Sequence, residues 1–276
     1  MRAPTPMPAE RGRTVVVVTH QHAAEIPRCL AALRGERVVL VDNASTDATA
    51  DVVAAGFPWV ELVRSPRNRG FAAGVNLGLA RAGRDDVVLV NPDAVVGPDT
   101  LDRLAQVLEE HPTVGVVAPR LRNPDGSVQE SARSFKTVPS LLARRTPLGR
   151  LRWGRGVLAR HLGPSAADEP TEVDWALGAL LVVRRAALEE VGPLDERFFL
   201  YEEDADWCLR MWQAGWGVLY VPEVEVEHGY RRASRHTWDL RRPATRHHWA
   251  SVLRLSLKHP GVVLLARRPT PGSSST

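Results

Sequence analysis

Four short runs rich in valine constrain this chain more than any other feature: Thr14 to Thr19 (TVVVVT), Arg37 to Asp42 (RVVLVD), Val60 to Val63 and Val87 to Asn91. Three of them are continuously apolar at their centres instead of alternating, the pattern of strands buried on both faces. The segments between them, Ala23 to Leu33, Ala44 to Ala55 and Phe71 to Ala82, read as helices. Strands alternating with helices predict an α/β fold with a mostly parallel sheet. In such sheets ligands collect at the carboxyl ends of the strands, where Asp42 and Asp93 fall.

Further on, the pattern predicts a helix over Asp99 to Glu110 and a strand over Val114 to Pro119. The stretch from Lys136 to Pro170 is basic, contains four prolines and has no clean period; it reads as a mobile insertion or one or two short helices. Regularity returns with Val173 to Arg184, a helix over Arg185 to Val191, the stretch Phe198 to Gly215 and a final strand near Val218 to Val221. Residues 1–13 and 269–276 are poor in apolar side chains and are expected to be disordered.

With 276 residues, 44% hydrophobic and 25% charged, collagen-like, fully disordered and disulfide-framework folds are excluded. The formal charge of +4 hides an uneven distribution. Gly229 to Thr276 carries +9 and Lys136 to Leu162 carries +7, which leaves −12 on the remaining 201 residues. Arginine supplies nearly all of the positive charge, since Lys136 and Lys258 are the only lysines. Cys29 and Cys208 lack metal-ligand spacing and no leader pattern opens the chain, so reduced thiols in the cytoplasm are expected. No apolar run approaches the ~18 residues of a membrane-spanning helix, which restricts any membrane contact to a peripheral one.

Neither G-x-G-x-x-G after a strand nor G-x-x-x-x-G-K-[ST] occurs, which argues against a dinucleotide oxidoreductase and a P-loop enzyme. Gly70, Gly74 and Gly78, four apart, suit close helix packing instead. At the end of the second strand Asp42 is placed to accept an imide N–H or a ribose hydroxyl, while Asn43, Ser45 and Asp47 are explained by capping of the next helix. Asp93, held behind Pro92, suits Mg²⁺ or Mn²⁺ shared with a diphosphate, or else forms an N-P-D turn. In Glu202-Glu203-Asp204-Ala205-Asp206 four acids open a helix, more than capping by the helix dipole requires; Asp206 and Arg210 are spaced to pair, and Asp204 is the candidate general base. Glu227-His228-Gly229 closes the last strand before Arg231, Arg232 and Arg235, which reads as a phosphate or metal corner.

In order along the chain, VVVTH, VLVDNASTD, NRGFAAGVNLG, VLVNPD, WALGALLVVRR, VGPLDERFFLYEEDADWCLR and EH resemble the inverting family 2 glycosyltransferases of GT-A fold, in particular their rhamnosyltransferase-like branch. The resemblance spans roughly Thr14 to Arg235. It implies that Thr19 and Asp42 hold the nucleotide base and ribose, and that Asn68, Gly70 and Asn76 shape the nucleotide pocket. Asn91 and Asp93 occupy the family's D-x-D position, with asparagine where the first acid stands. By the same carry-over Asp93 and His228 bind Mg²⁺ or Mn²⁺, Trp175, Gly178, Ala179, Glu203 and Asp206 serve the sugar and acceptor, and Asp204 is the base. His20 and Gln21 depart from the tyrosine and asparagine frequent there.

The resemblance further implies transfer from a nucleotide-sugar donor, dTDP-rhamnose or a UDP-sugar, to a lipid-linked or other glycan acceptor in cell-wall or polysaccharide synthesis. It is compatible with a homodimer, and nucleic acid is not an expected partner. The basic segments interleave arginine with leucine, valine and tryptophan, so peripheral contact with an anionic membrane at the cytoplasmic face is expected beside the plainer reading of a solvated arginine surface. The expected organisation is a GT-A domain over 14–235, with a nucleotide-sugar half at 14–119 and an acceptor half at 120–235 containing the insertion 136–170. A basic amphipathic extension follows over 236–268. The competing readings are a family 2 enzyme using a UDP-hexose on a soluble acceptor, a nucleotidyltransferase, and a non-catalytic binder of polyanions or membranes.

Overall fold

The computed structural model describes residues 12–229 and 241–265. The expectations for the two chain ends, except at residues 12 and 13, and for Arg231, Arg232 and Arg235 lie outside the described residues.

The first half runs β1 (Arg13–Thr19), α1 (Ile26–Ala32), β2 (Val38–Asp42), α2 (Thr49–Gly56), β3 (Glu61–Arg64), α3 (Phe71–Leu79), β4 (Asp86–Val90), β5 (Ala94–Val95), α4 (Thr100–Glu110) and β6 (Val114–Arg122). After β7 (Ala132–Arg133) the basic insertion folds as α5 (Val138–Arg145), a 3-10 turn (Pro147–Arg150), α6 (Arg152–Leu162) and a second 3-10 turn (Gly163–Ala166). Then follow β8 (Thr171–Glu172), β9 (Trp175–Ala176), β10 (Leu180–Val183), α7 (Arg185–Val191), α8 (Glu203–Gln213), β11 (Gly217–His228), α9 (Pro243–Lys258) and α10 (Pro260–Leu265).

The main sheet has the order β3-β2-β1-β4-β10-β6-β11-β5, with β8 on the side of β11. Strands β1 to β4 are parallel, as the unbroken valine runs require, and β10 enters antiparallel between β4 and β6. The pleat sends Val15 and Val17 into one apolar layer with Ile26, Leu30 and Leu104, and Val16 and Val18 into the other with Val75, Trp207 and Met211. Helix α3 lies directly on β1, because a Cβ on Gly74 would meet Val18 at 2.6 Å and one on Gly78 would collide with Val16. That is the close packing expected of these two glycines.

Three boundaries differ from the sequence reading. The strand expected over 173–184 is broken at 177–179 into β9 and β10, and the break serves the site described below. The final strand is a 12-residue element with a register irregularity between Val221 and Glu225; beyond it Val224, Val226 and His228 are buried while Glu223 and Glu225 are exposed. Helix α2 starts only at Thr49, because residues 43–47 are engaged in a loop network.

Candidate active site

The donor side is built at the carboxyl ends of β1 and β2, where Thr19 is in register with Asp42. Both side chains are buried, and the Thr19 hydroxyl has no hydrogen-bond partner among the described residues. The two Asp42 carboxylate oxygens accept the backbone N–H of Ser45 at 3.3 Å each. The loop that follows turns twice through the left-handed region, at Gln21 (φ 61°) and Ala44 (φ 60°). Ser45 accepts from the Gln21 N–H at 2.9 Å, and Asp47 accepts from Ala23 and Thr49. Capping therefore does not explain Asn43 and Ser45: the α2 N-cap, Ala48, has no side-chain cap, and these polar groups tie the loop instead.

Asn43 donates to Asn68 Oδ1 at 3.1 Å and to the Gly70 carbonyl at 2.9 Å, and Asn68 Oδ1 accepts from the Gly70 N–H at 2.9 Å. Gly70 has φ 92°, and a Cβ there would collide with the carbonyl of Phe199, which accepts from the Phe71 N–H at 2.8 Å. A left-handed turn and a passing backbone both require glycine at this position. Asn76 is placed differently from the expectation. Its amide bonds both the N–H and the carbonyl of Leu194, at 3.0 and 2.9 Å, and so braces α3 against the loop before α8.

A second corner joins Asn91, Asp93 and His228. The pairing of β5 with β11 sets Ala94 opposite His228, and the Gly229 N–H donates to the Asp93 carbonyl at 2.9 Å. Gln129 donates to the His228 carbonyl at 2.9 Å, which leaves its Oε1 facing His228 Nδ1, also at 2.9 Å. That assigns the ring proton to Nδ1 and turns the Nε2 lone pair toward Asp93 Oδ1 and Asn91 Nδ2, each at 3.3 Å. A lone pair and a carboxylate facing each other in a buried corner need a proton or a cation between them, so the donor set fits a divalent ion. Burial alone would raise the Asp93 carboxyl, but the bond to His228 outweighs it and holds it below its ordinary value. No group of three or more His, Cys, Asp or Glu side chains that could hold a metal exists among the described residues, so an ion here would draw its other ligands from phosphate and water.

The acidic cluster forms the third corner. Tyr201 and Glu202 both have φ 69°, a left-handed pair that swings the chain into α8. Glu202 is buried in an ion pair with Lys136, the lysine at the root of the basic insertion, whose ammonium lies 5.0 Å from the Trp175 ring. Asp204 Oδ1 accepts from the Ala205 N–H at 2.8 Å and Oδ2 from the Gly178 N–H at 3.1 Å. This last bond is the reason for the break between β9 and β10. Burial, then the charge of Glu202, raises the Asp204 carboxyl above its ordinary value despite these donors. Glu203 is raised well above its own, by burial and by Asp204, and its Oε2 has no partner among the described residues. Of the two, Glu203 keeps the proton and Asp204 the charge.

The structure separates the other expected acceptor residues. Asp206 is fully buried and bonded to Arg210 at 3.0 Å, Lys258 at 2.8 Å and His259 at 2.8 Å, so it anchors α9 and α10 to α8 and faces no ligand. Trp175, 2% exposed, is a wall behind the site, its indole N–H donating to the Ser134 carbonyl at 3.0 Å. The Ala179 side chain is in the core, while its carbonyl accepts from the Asn91 N–H at 2.8 Å. The peptides of Gly178 and Ala179 thus link the Asp204 and Asn91 corners. Sequence reasoning missed Gln129 and Lys136. Nothing local marks the first; the second was marked by being lysine in an arginine-rich chain.

A glycosyl transferase family 2 model matches residues 14–163, and a glycosyl transferase family group 2 model matches residues 150–268. The chain is 35% identical over 272 residues to the N-acetylglucosaminyl-diphospho-decaprenol L-rhamnosyltransferase of Mycobacterium tuberculosis, covering 90% of this chain and 85% of that protein. It is 24% identical to the rhamnosyltransferase WbbL of Escherichia coli, covering 78% and 82%. Among solved structures, the mannosyltransferase PcManGT of Pyrobaculum calidifontis with GDP-Man and Mn²⁺ superposes with a TM-score of 0.58 at 25% identity, over 91% of this chain and 66% of that one. GalNAc-T7 with UDP, GalNAc and Mn²⁺ superposes with a TM-score of 0.59 at 19% identity, over 79% of this chain and 44% of that one.

Proposed function

Because the chain belongs to glycosyl transferase family 2 and is a glycosyltransferase of its rhamnosyltransferase-like branch, we propose that it moves L-rhamnose from dTDP-L-rhamnose to a hydroxyl of polyprenyl-diphosphate-linked N-acetylglucosamine. The observation that carries the chemistry is Asp204, a buried carboxylate held by the Gly178 and Ala205 N–H groups at the start of α8. In this reading Asp204 accepts the proton of the acceptor hydroxyl, the freed oxygen attacks the anomeric carbon, and the nucleoside diphosphate leaves with inversion. A base so aligned contributes about 10²- to 10⁴-fold. Thr19 and Asp42 receive the nucleoside, and the Asn43–Asn68–Gly70 network fixes the loop beside it. Asp93 and His228, oriented by Gln129, hold Mg²⁺ or Mn²⁺, which when bound supplies positive charge to the leaving diphosphate.

The donor and acceptor are supported by the similarity to the decaprenol rhamnosyltransferase. No helix among the described residues is long and apolar enough to cross a membrane, and in this reading the enzyme works at the inner face of the cell membrane. Thermal shift and mass spectrometry with dTDP-rhamnose, UDP-glucose and UDP-galactose, with and without Mn²⁺, test the reading. Transfer is expected from dTDP-rhamnose; transfer from a UDP-hexose to a soluble sugar in its place overturns it.

A further inference from the structure

Large apolar side chains stand exposed at eight places among the described residues, and they are clustered. Val138, Leu142, Leu148, Leu151 and Trp153 lie on α5, α6 and the turn between them, from 39% to 56% exposed. Leu253 and Leu257, one turn apart on α9, are 60% and 73% exposed. In the insertion, a Cβ on Gly149 would collide with the Ala143 carbonyl and one on Gly154 with the Leu148 carbonyl, so these backbones are in contact. With the interior filled by backbone, Leu148, Leu151 and Trp153 are left outside.

The same surface is basic. Arg150, Arg152, Arg155 and Arg160 are exposed, none pairs with a carboxylate among the described residues, and no acid occurs between 136 and 162. Both apolar elements are rooted beside the candidate active site: the insertion through the Lys136–Glu202 pair, and α9 through the Ser251 hydroxyl, which donates to the Leu200 carbonyl at 3.0 Å, and the edge-to-face contact of His248 with Tyr201.

We propose that the α5–α6 hairpin, with the outer face of α9, docks on an anionic lipid bilayer, Leu148, Leu151 and Trp153 entering the headgroup boundary while the four arginines meet lipid phosphates. Leucine and tryptophan interleaved with unpaired arginine match such a surface on both counts. A second copy of this face would set arginine against arginine, and a polyanion in water would leave the leucines uncovered. The purpose of docking rests on the lipid-linked acceptor proposed above; the docking itself does not.

The test is co-sedimentation of the full chain with vesicles of phosphatidylcholine alone or mixed with phosphatidylglycerol, at low and high salt. Binding is expected on the mixed vesicles, weakened by salt. Leu151→Ser/Trp153→Ser should reduce it at least tenfold. Arg150→Gln/Arg152→Gln/Arg155→Gln should reduce it by about fivefold per arginine, the equivalent of about 1 kcal/mol each. Binding of dTDP should be unchanged in both variants, which shows that they are folded. No binding by the parent chain at low salt, or undiminished binding by both variants, overturns the proposal, as does a self-association, read by sedimentation velocity, that the same substitutions abolish while vesicle binding persists. If the parent chain binds the mixed vesicles but rhamnosyl transfer fails, the docking stands and the acceptor reading falls.

Discussion

The Gly178 backbone N–H donates to Oδ2 of Asp204 at 3.1 Å across the break between β9 and β10. The carboxylate is therefore fixed from two sides, by Gly178 and by Ala205 at the start of its own helix. Asp204→Asn keeps the shape and removes the basicity. Turnover should fall by about 10²- to 10⁴-fold with dTDP affinity nearly unchanged, as read by steady-state kinetics and calorimetry. Near wild-type turnover would remove Asp204 from the mechanism.

Burial raises both Glu203 and Asp204, and this gives two pH effects of defined sign. A carboxyl whose folded pKa is raised contributes most below its unfolded value, and that contribution is lost as pH rises through the folded one. Glu203→Gln should therefore melt higher than wild type in neutral and alkaline buffer, with the difference vanishing in acid. The second effect is on rate: kcat/KM should fall on acidification with a midpoint above the ordinary aspartate value, because Asp204 must be ionised to accept a proton.

Gln129 touches His228 twice, through its ring and its carbonyl. Removing an outer partner of this kind lowers metal affinity by about 10- to 100-fold. Gln129→Leu should need that much more Mn²⁺ for half-maximal activity and still reach most of the wild-type rate at saturation; an unchanged Mn²⁺ titration would separate Gln129 from the metal corner.

Lys136 and Glu202 form a buried ion pair, with side chains 8% and 2% exposed. Breaking such a pair from one side costs about 3 to 5 kcal/mol, because a buried charge is left behind. Urea unfolding should show a loss of this size for Lys136→Met and a substantial recovery for Lys136→Met/Glu202→Gln. Additive losses in the double variant would contradict the pairing.

The parallel half of the sheet was legible because its strands are buried on both faces, and burial of that kind leaves a continuous apolar run. Asp42, Asp93 and Asp204 followed from their positions at strand ends and at a helix start. The length of β11 was concealed by Pro222 and by glutamates at 223, 225 and 227, although the alternation with Val224 and Val226 was present. Asp206 was misplaced for a different reason. Arg210 is visible as its i,i+4 partner, but Lys258 and His259 arrive from about fifty residues downstream, and no local pattern announces them. Asn76 and Gln129 are likewise defined by partners distant in sequence, Leu194 and His228.

Only two of the 36 basic side chains are lysines, and each runs from one of the two basic segments to a buried carboxylate: Lys136 to Glu202 and Lys258 to Asp206. Those carboxylates stand two residues before and two residues after Asp204. Neither segment is a detachable module, since excising or exchanging it would strand a buried negative charge next to the proposed base. Chimeras that graft this chain's catalytic helix onto a relative must carry both lysines with it, and a lineage that loses either arm must first neutralise the acid it holds.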